Sequence, residues 1–180
     1  MIKKYFAAVL IAVTLITINT QYIYAEEIND TVEIIQNEEE RYPAAKFIWD
    51  YFKNLGYSDH ACAGILGNVM AEVGGQTLNI RHEISSKYYS GICQWDKRHS
   101  TLAGDATLEE QCEYLENTIG RCFEVFGKDY QENFEKKDFM TIEDETEAAI
   151  AFAKCYERCS SISYEVRKTN ATKAYNYFTQ

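Results

Sequence analysis

The chain has 180 residues, with 28 acidic against 18 basic side chains and a formal net charge of −10. That balance excludes the basic face on which nucleic-acid binders depend, and it offers no bulk attraction toward anionic surfaces. The length suits a single domain around one core.

Residues 1–25 read as a secretory leader: Lys3 and Lys4 open it, an apolar run follows from Tyr5 to Ile18, and Ala25 supplies a small residue for cleavage. An apolar core of roughly 14 residues is short for a membrane span. The mature chain is therefore expected to hold no stable span and to be secreted, extracellular or associated with a cell wall. Loss of Lys3 and Lys4 leaves 16 basic against 28 acidic residues, a net charge of −12. Residues 26–40 are acidic with few large apolar side chains and read as a flexible or loosely helical lead-in.

The domain proper runs over residues 41–180. Pro43, the only proline, suits a first helical turn. Ala44, Phe47, Ile48, Tyr51, Phe52 and Leu55 then fall at helical spacing, with Gly56 as a C-terminal cap. Ser58 is the N-cap of a second helix to about Val73, whose buried stripe is Cys62, Ile65, Leu66, Val69 and Val73. Gly64 and Gly67 weaken that helix by propensity and predict close approach of another backbone. Residues 74–89 show no sustained helical pattern and read as loops or a short hairpin. Thr107 and Glu110 form a capping box before Leu108, Cys112, Leu115, Ile119, Cys122, Phe123 and Phe126. A further helix spans about Glu143 to Glu157 with Thr141 as cap, and a last one runs from Ser163 to Phe178. The fold class is mainly α (α+β), a helical domain with a small irregular or β-hairpin insertion.

All six cysteines, at 62, 93, 112, 122, 155 and 159, follow the leader. An even count in an oxidising compartment reads as up to three disulfides, with the connectivity open. Cys112 and Cys122 on one straight helix are about 15 Å apart along its axis, beyond the reach of a bridge. Cys155 and Cys159 can pair only if their helix ends there. The lack of a Cys-x-x-Cys pair and the scatter of the three histidines argue against a metal site, and the lack of a phosphate loop argues against a nucleotide cofactor. A thiol nucleophile drawn from Cys62 or Cys93 with a histidine is a weaker alternative.

Glu72 closes the apolar segment 61–72. At 100° per residue it lies about 20° from Ile65, at the margin of the buried stripe, where a side chain is half buried and can face a groove. Desolvation raises a carboxyl pKa, which keeps an acid protonated for general acid catalysis near neutral pH. Further along, Gly91-Ile92-Cys93-Gln94-Trp95 is the small, polar and aromatic type of cluster that lines a sugar cleft. Together the two segments indicate a glycosidase. Such enzymes generally need a second carboxylate; Glu83 is the first candidate and Asp96 the second. Gln94, Trp95, Asn68 and Tyr89 are the candidate substrate-binding residues, with Tyr88 beside them.

The run from Ile65 to Glu72, followed by Gly91 to Trp95 and Arg98, resembles the phage tail lysozyme family of the lysozyme-like superfamily. Phe47-Ile48-Trp49, the Phe152–Arg158 segment, Arg167 and Ala174 fit the same pattern, so the similarity covers roughly residues 41–178. The resemblance implies a lysozyme-like domain acting on peptidoglycan glycan strands as a monomer, without a cofactor. It implies cleavage of the β-1,4 bond between N-acetylmuramic acid and N-acetylglucosamine, with Glu72 in the place of the catalytic acid. Where the family usually has Ser-Gly after the glutamate, this chain has Val73-Gly74. Alternatives are a lytic transglycosylase and a lysozyme-like module that binds glycan without cutting it.

Overall fold

The computed structural model describes residues 41–180. The leader and lead-in expected over residues 1–40 lie outside the described residues. The elements below belong to the unit from Tyr42 to Gln180.

Helix α1 (Pro43–Asn54) starts with its proline in the first turn, and Gly56, at φ +90°, turns the chain after it. The face it buries is Ala45, Ile48, Trp49 and Phe52, so Phe47 and Leu55 are exposed and not part of the expected stripe. Phe47 stacks instead on Tyr51, and Trp49 stacks on Phe178 of the last helix with ring centroids 4.8 Å apart.

Helix α2 (Asp59–Val73) is the centre of the domain. Ser58 caps it, accepting from the Ala61 amide at 3.0 Å and donating to the Ile142 carbonyl at 2.7 Å. Every residue from Ala61 to Met70 is buried, so the single stripe expected from the sequence is replaced by burial on all sides, the behaviour of a helix that is apolar around its circumference. Gly64 and Gly67 make this possible. A Cβ at Gly64 would lie 2.5 Å from Ala148 Cβ, and one at Gly67 would lie 2.7 Å from the Ala171 amide nitrogen and the Arg167 carbonyl oxygen. Helices α5 (Glu145–Phe152) and α6 (Tyr164–Phe178) therefore press backbone-close on α2.

The irregular insertion carries a two-stranded antiparallel hairpin, β1 (Tyr89–Ser90) with β2 (Trp95–Asp96), pairing Tyr89 with Asp96 and Ser90 with Trp95. Its turn needs left-handed backbone at Gly91 (φ +76°) and Gln94 (φ +46°). Helix α3 (Leu108–Phe126) has the predicted capping box and buries Cys112, Leu115, Ile119 and Phe123. A 3-10 turn (Gly127–Asp129) and a short helix α4 (Lys136–Met140) are not evident from periodicity. Helix α4 places Phe139 against Tyr57, Phe123 and Phe152 in the core.

The cap of α5 is Asp144 and not Thr141; its carboxylate accepts from the Thr146 and Glu147 amides at 2.8 and 2.9 Å, two bonds that a carboxylate makes readily. Helix α5 also ends earlier than expected. Its continuation, Ala153–Glu157, is a π-helical turn closed by Arg158 in left-handed conformation at φ 53°.

The expected disulfides are absent: all six cysteines are free thiols. Cys112 and Cys122 do share α3, which keeps them apart. Although the helix ends between Cys155 and Cys159, Cys159 Sγ accepts from Ser163 Oγ at 3.2 Å instead of bonding its neighbour. Among the described residues no helix is long and apolar enough to cross a membrane, and no cluster of three or more ligating side chains is arranged to hold a metal ion.

Candidate active site

Glu72 occupies the last turn of α2, with its side chain 23% exposed, enough for one edge of the carboxyl to meet a ligand. Its cationic partner is Arg167 on α6, whose Nη2 donates to Glu72 Oε1. Arg167 is only 4% exposed and is fixed on its other edges. Its Nη1 donates to Asn68 Oδ1 at 2.8 Å, and its Nε donates to Ser163 Oγ at 3.3 Å.

Asn68 in turn is fully buried, its Nδ2 donating to the carbonyls of Gly64 (2.8 Å) and Ala149 (3.0 Å). It has no surface with which to touch a sugar, so its place is behind the site, where it holds the guanidinium that holds Glu72.

A second carboxyl, that of Glu157, interacts electrostatically with this pair. The π-helical turn after α5 directs Glu157 inward, a local geometry that recurs at functional sites. Oε1 of Glu157 is buried with no hydrogen-bond partner among the described residues. Burial, followed by the negative charge of Glu72, pushes its carboxyl up to about 8, while Arg167 and the Cys93 thiol pull in the other direction. Burial thus favours the protonated form of Glu157. Cys93, also buried, is pushed well above the ordinary thiol range, chiefly by that burial and further by the nearby acidic side chains. It stays a neutral thiol, which removes it as a nucleophile.

The hairpin forms the neighbouring wall. Gln94 Nε2 donates to the Gly91 carbonyl at 2.9 Å and to that of Ile84 at 3.4 Å, bracing its own turn. Trp95 is half buried; its ring lies over Gly91, where a Cβ would come within 2.7 Å, and it meets Tyr114 edge-on at 5.2 Å. Its Nε1 donates to Tyr156 Oη at 2.8 Å, and that hydroxyl also bonds Thr118 Oγ1 at 2.8 Å. Trp95 is thereby tied to the residue next to Glu157. Tyr88 and Tyr89 are exposed at the rim, ring against ring.

The two expected second carboxylates lie elsewhere. Glu83 is exposed on the lining of a cavity of about 470 Å³, together with His82, Ser90, Gly91, Ala106 and Gln111. Neither Glu72 nor Glu157 lines that cavity, and Ser90 and Gly91 link it to the hairpin wall. Asp96 is engaged by Arg98 through Nε at 2.9 Å and Nη2 at 2.5 Å, and this guanidinium holds its carboxyl well below the usual range. Glu157, by contrast, is a carboxyl on which the charge of Glu72 acts. The sequence carries a weak signal for it: a carboxyl shortly after the apolar run from Ala148 to Ala153, interrupted by Lys154, a looser form of the pattern that draws attention to Glu72.

A family model described as phage tail lysozyme matches residues 43–178, a span that includes Glu72, the hairpin, Glu157 and Arg167. No curated protein matches the chain.

Proposed function

The chain belongs to the phage tail lysozyme family, a membership that points to lysozyme-like lytic action on peptidoglycan, and from that premise we propose that it cleaves the β-1,4 bond between N-acetylmuramic acid and N-acetylglucosamine with Glu72 as general acid. The observation that supports this most is the partly exposed Glu72 carboxyl at the end of a helix packed on all sides, held in place by Arg167. A positioned carboxyl is the group that protonation of a leaving glycosidic oxygen requires. The hairpin with Tyr88, Tyr89, Gln94 and Trp95 supplies an aromatic and polar wall against which a glycan strand can lie. The reading of residues 1–25 as a leader is consistent with a substrate outside the cytoplasm.

The test is incubation of the purified protein with peptidoglycan and mass spectrometry of the released fragments. Muropeptides with reducing ends are expected, and Glu72→Gln should lower their release by about 10²–10⁴-fold. Anhydro ends would assign a lytic transglycosylase instead. Retention on the wall with no fragments released would overturn the enzymatic reading in favour of a glycan-binding module, and full activity of Glu72→Gln would overturn the role of that residue.

A further inference from the structure

The cavity of about 470 Å³ beside the hairpin is not lined by Glu72 and is a place to bind something else. We propose that it receives the peptide substituent of the glycan strand, and within that peptide an aliphatic side chain ending in a primary amine, as a diamino acid presents. That a glycan strand delivers the peptide rests on the function proposed above, whereas the affinity of the cavity for an amine does not.

Three segments meet at one buried side chain to make this cavity. Gln111, near the start of α3 and only 3% exposed, accepts from the Ile92 amide at 2.9 Å through Oε1. Its Nε2 donates to the carbonyls of His82 at 3.1 Å and Ala106 at 2.8 Å. The segment before the hairpin, the hairpin turn and the loop leading into α3 are thereby fixed to a single amide group. His82, Gly91 and Ala106 all line the space between them. A hollow braced in this way is formed before any ligand arrives, and its volume falls within the roughly 300–1,000 Å³ typical of small-ligand sites.

The lining selects the ligand. Leu102, Ala103 and Ala106 give an apolar wall that suits an aliphatic stem. Glu83 and Asp105 stand exposed on the lining, with neither an ion pair nor a hydrogen bond among the described residues. No lysine or arginine lines the cavity. Lys97 comes near Gly104, 3.8 Å from where a Cβ would lie, but its ammonium is committed to Ser85 Oγ and the Ser86 carbonyl, both at 2.7 Å. An entering ammonium therefore meets two carboxylates without counter-ions, and an entering carboxylate meets like charge. His82 adds an independent vacancy: its Nδ1 is buried without a partner among the described residues, and a peptide N–H brought against that wall supplies one.

The position fits a substituent better than the strand itself. Ser90 and Gly91 line the cavity from the hairpin, and the Trp95 ring lies over Gly91. A strand laid along Tyr89 and Trp95 thus runs beside the cavity, within reach of a group branching from the sugar. An N-acetylated sugar carries no cation to meet Glu83 and Asp105; the amine of a diamino acid does.

The deciding measurement is an amide NMR titration of the full chain, which needs no bond cleavage. The probe is the tripeptide L-alanyl-γ-D-glutamyl-L-lysine, with its Nε-acetyl form and a chito-oligosaccharide as comparisons. The tripeptide is expected to shift the amides of Gly91, Gly104 and Ala106, and Nε-acetylation to weaken its binding by about fivefold or more. Replacing Glu83→Gln and Asp105→Asn together removes the same charges from exposed, unpaired positions where the fold tolerates change. That double variant should weaken tripeptide binding by about the same factor. Absence of tripeptide binding, equal binding of the two tripeptides, or larger shifts of these amides by the oligosaccharide would overturn the proposal. If no fragments are released from peptidoglycan, the titration still decides what the cavity binds. If fragments are released and the tripeptide does not bind, the cavity's role alone is lost.

Discussion

Arg167 donates to Asn68 Oδ1 at 2.8 Å across 99 positions of sequence, inside the contact between α2 and α6. Every polar atom of the asparagine side chain is committed, since its amide hydrogens go to Gly64 and Ala149 and its oxygen takes the guanidinium. The site is therefore braced from within the core.

Replacing the guanidinium should be damaging on two counts. Arg167→Met leaves Asn68 Oδ1 unsatisfied and Glu72 and Glu157 without a cation, and removing one partner of such a buried pair costs about 3–5 kcal/mol. Urea unfolding should show this loss. Arg167→Lys keeps the charge but not the fork that reaches Asn68, Ser163 and Glu72 together, so it should fall between wild type and Arg167→Met.

Gly67→Ala tests the closeness of α2 and α6. The added methyl would sit 2.7 Å from backbone atoms of Arg167 and Ala171, which cannot swing aside as a flexible side chain does. Overpacking of this kind costs about 1–3 kcal/mol, and here it also displaces the turn of α6 that carries Arg167. A thermal melt should fall, and lytic activity should drop further than the melt accounts for.

Stability should depend on pH through Glu157. Its folded-state carboxyl is raised from 4.5 to about 8, so between those values the unfolded chain releases a proton that the folded chain keeps. The Glu157 contribution is therefore fully present below about 4.5 and is lost as pH rises toward 8. Urea midpoints measured across that window should decline for wild type and decline less for Glu157→Gln. Equal slopes would count against a protonated Glu157 in the folded state.

Trp95→Phe removes the indole donor to Tyr156 Oη while keeping an aromatic ring over Gly91. The lost hydrogen bond should cost about 1 kcal/mol, visible in urea unfolding. Because Tyr156 precedes Glu157 in the π-helical turn, the same change should also reduce the rate of fragment release.

The parts of this molecule legible in its sequence are those that rest on local chemistry. The Thr107–Glu110 box and the Ser58 cap are short-range hydrogen-bonding patterns, and both form. Gly64 and Gly67 announce a close approach but not which helices make it. Thr141 is a reasonable cap by residue type, yet Asp144 stands directly before α5 and its carboxylate accepts from successive amides. The all-round burial of α2 is hidden because Gly, Ala and Asn blur the contrast between faces on which periodicity depends. The pairing of Glu72 with Arg167 is least accessible, since it joins residues 95 positions apart on α2 and α6. Nothing in local spacing marks a π turn, and Glu157 owes its raised carboxyl to where that turn points.

The enclosure of α2 by α5 and α6 also divides the molecule into a part that resists change and a part that accepts it. Substitution along residues 61–70 meets a packed interior, with backbone at Gly64 and Gly67, whereas the stretch from Gly75 to Ala106 is mostly surface, with a small hairpin at its centre. Selection for a different wall chemistry can thus act on the rim, exchanging side chains such as Tyr88 and Tyr89, while the buried α2 and its Glu72–Arg167 pair stay as they are. In directed evolution, libraries confined to that rim should yield altered glycan preference at far higher frequency than libraries of equal size drawn from the helices.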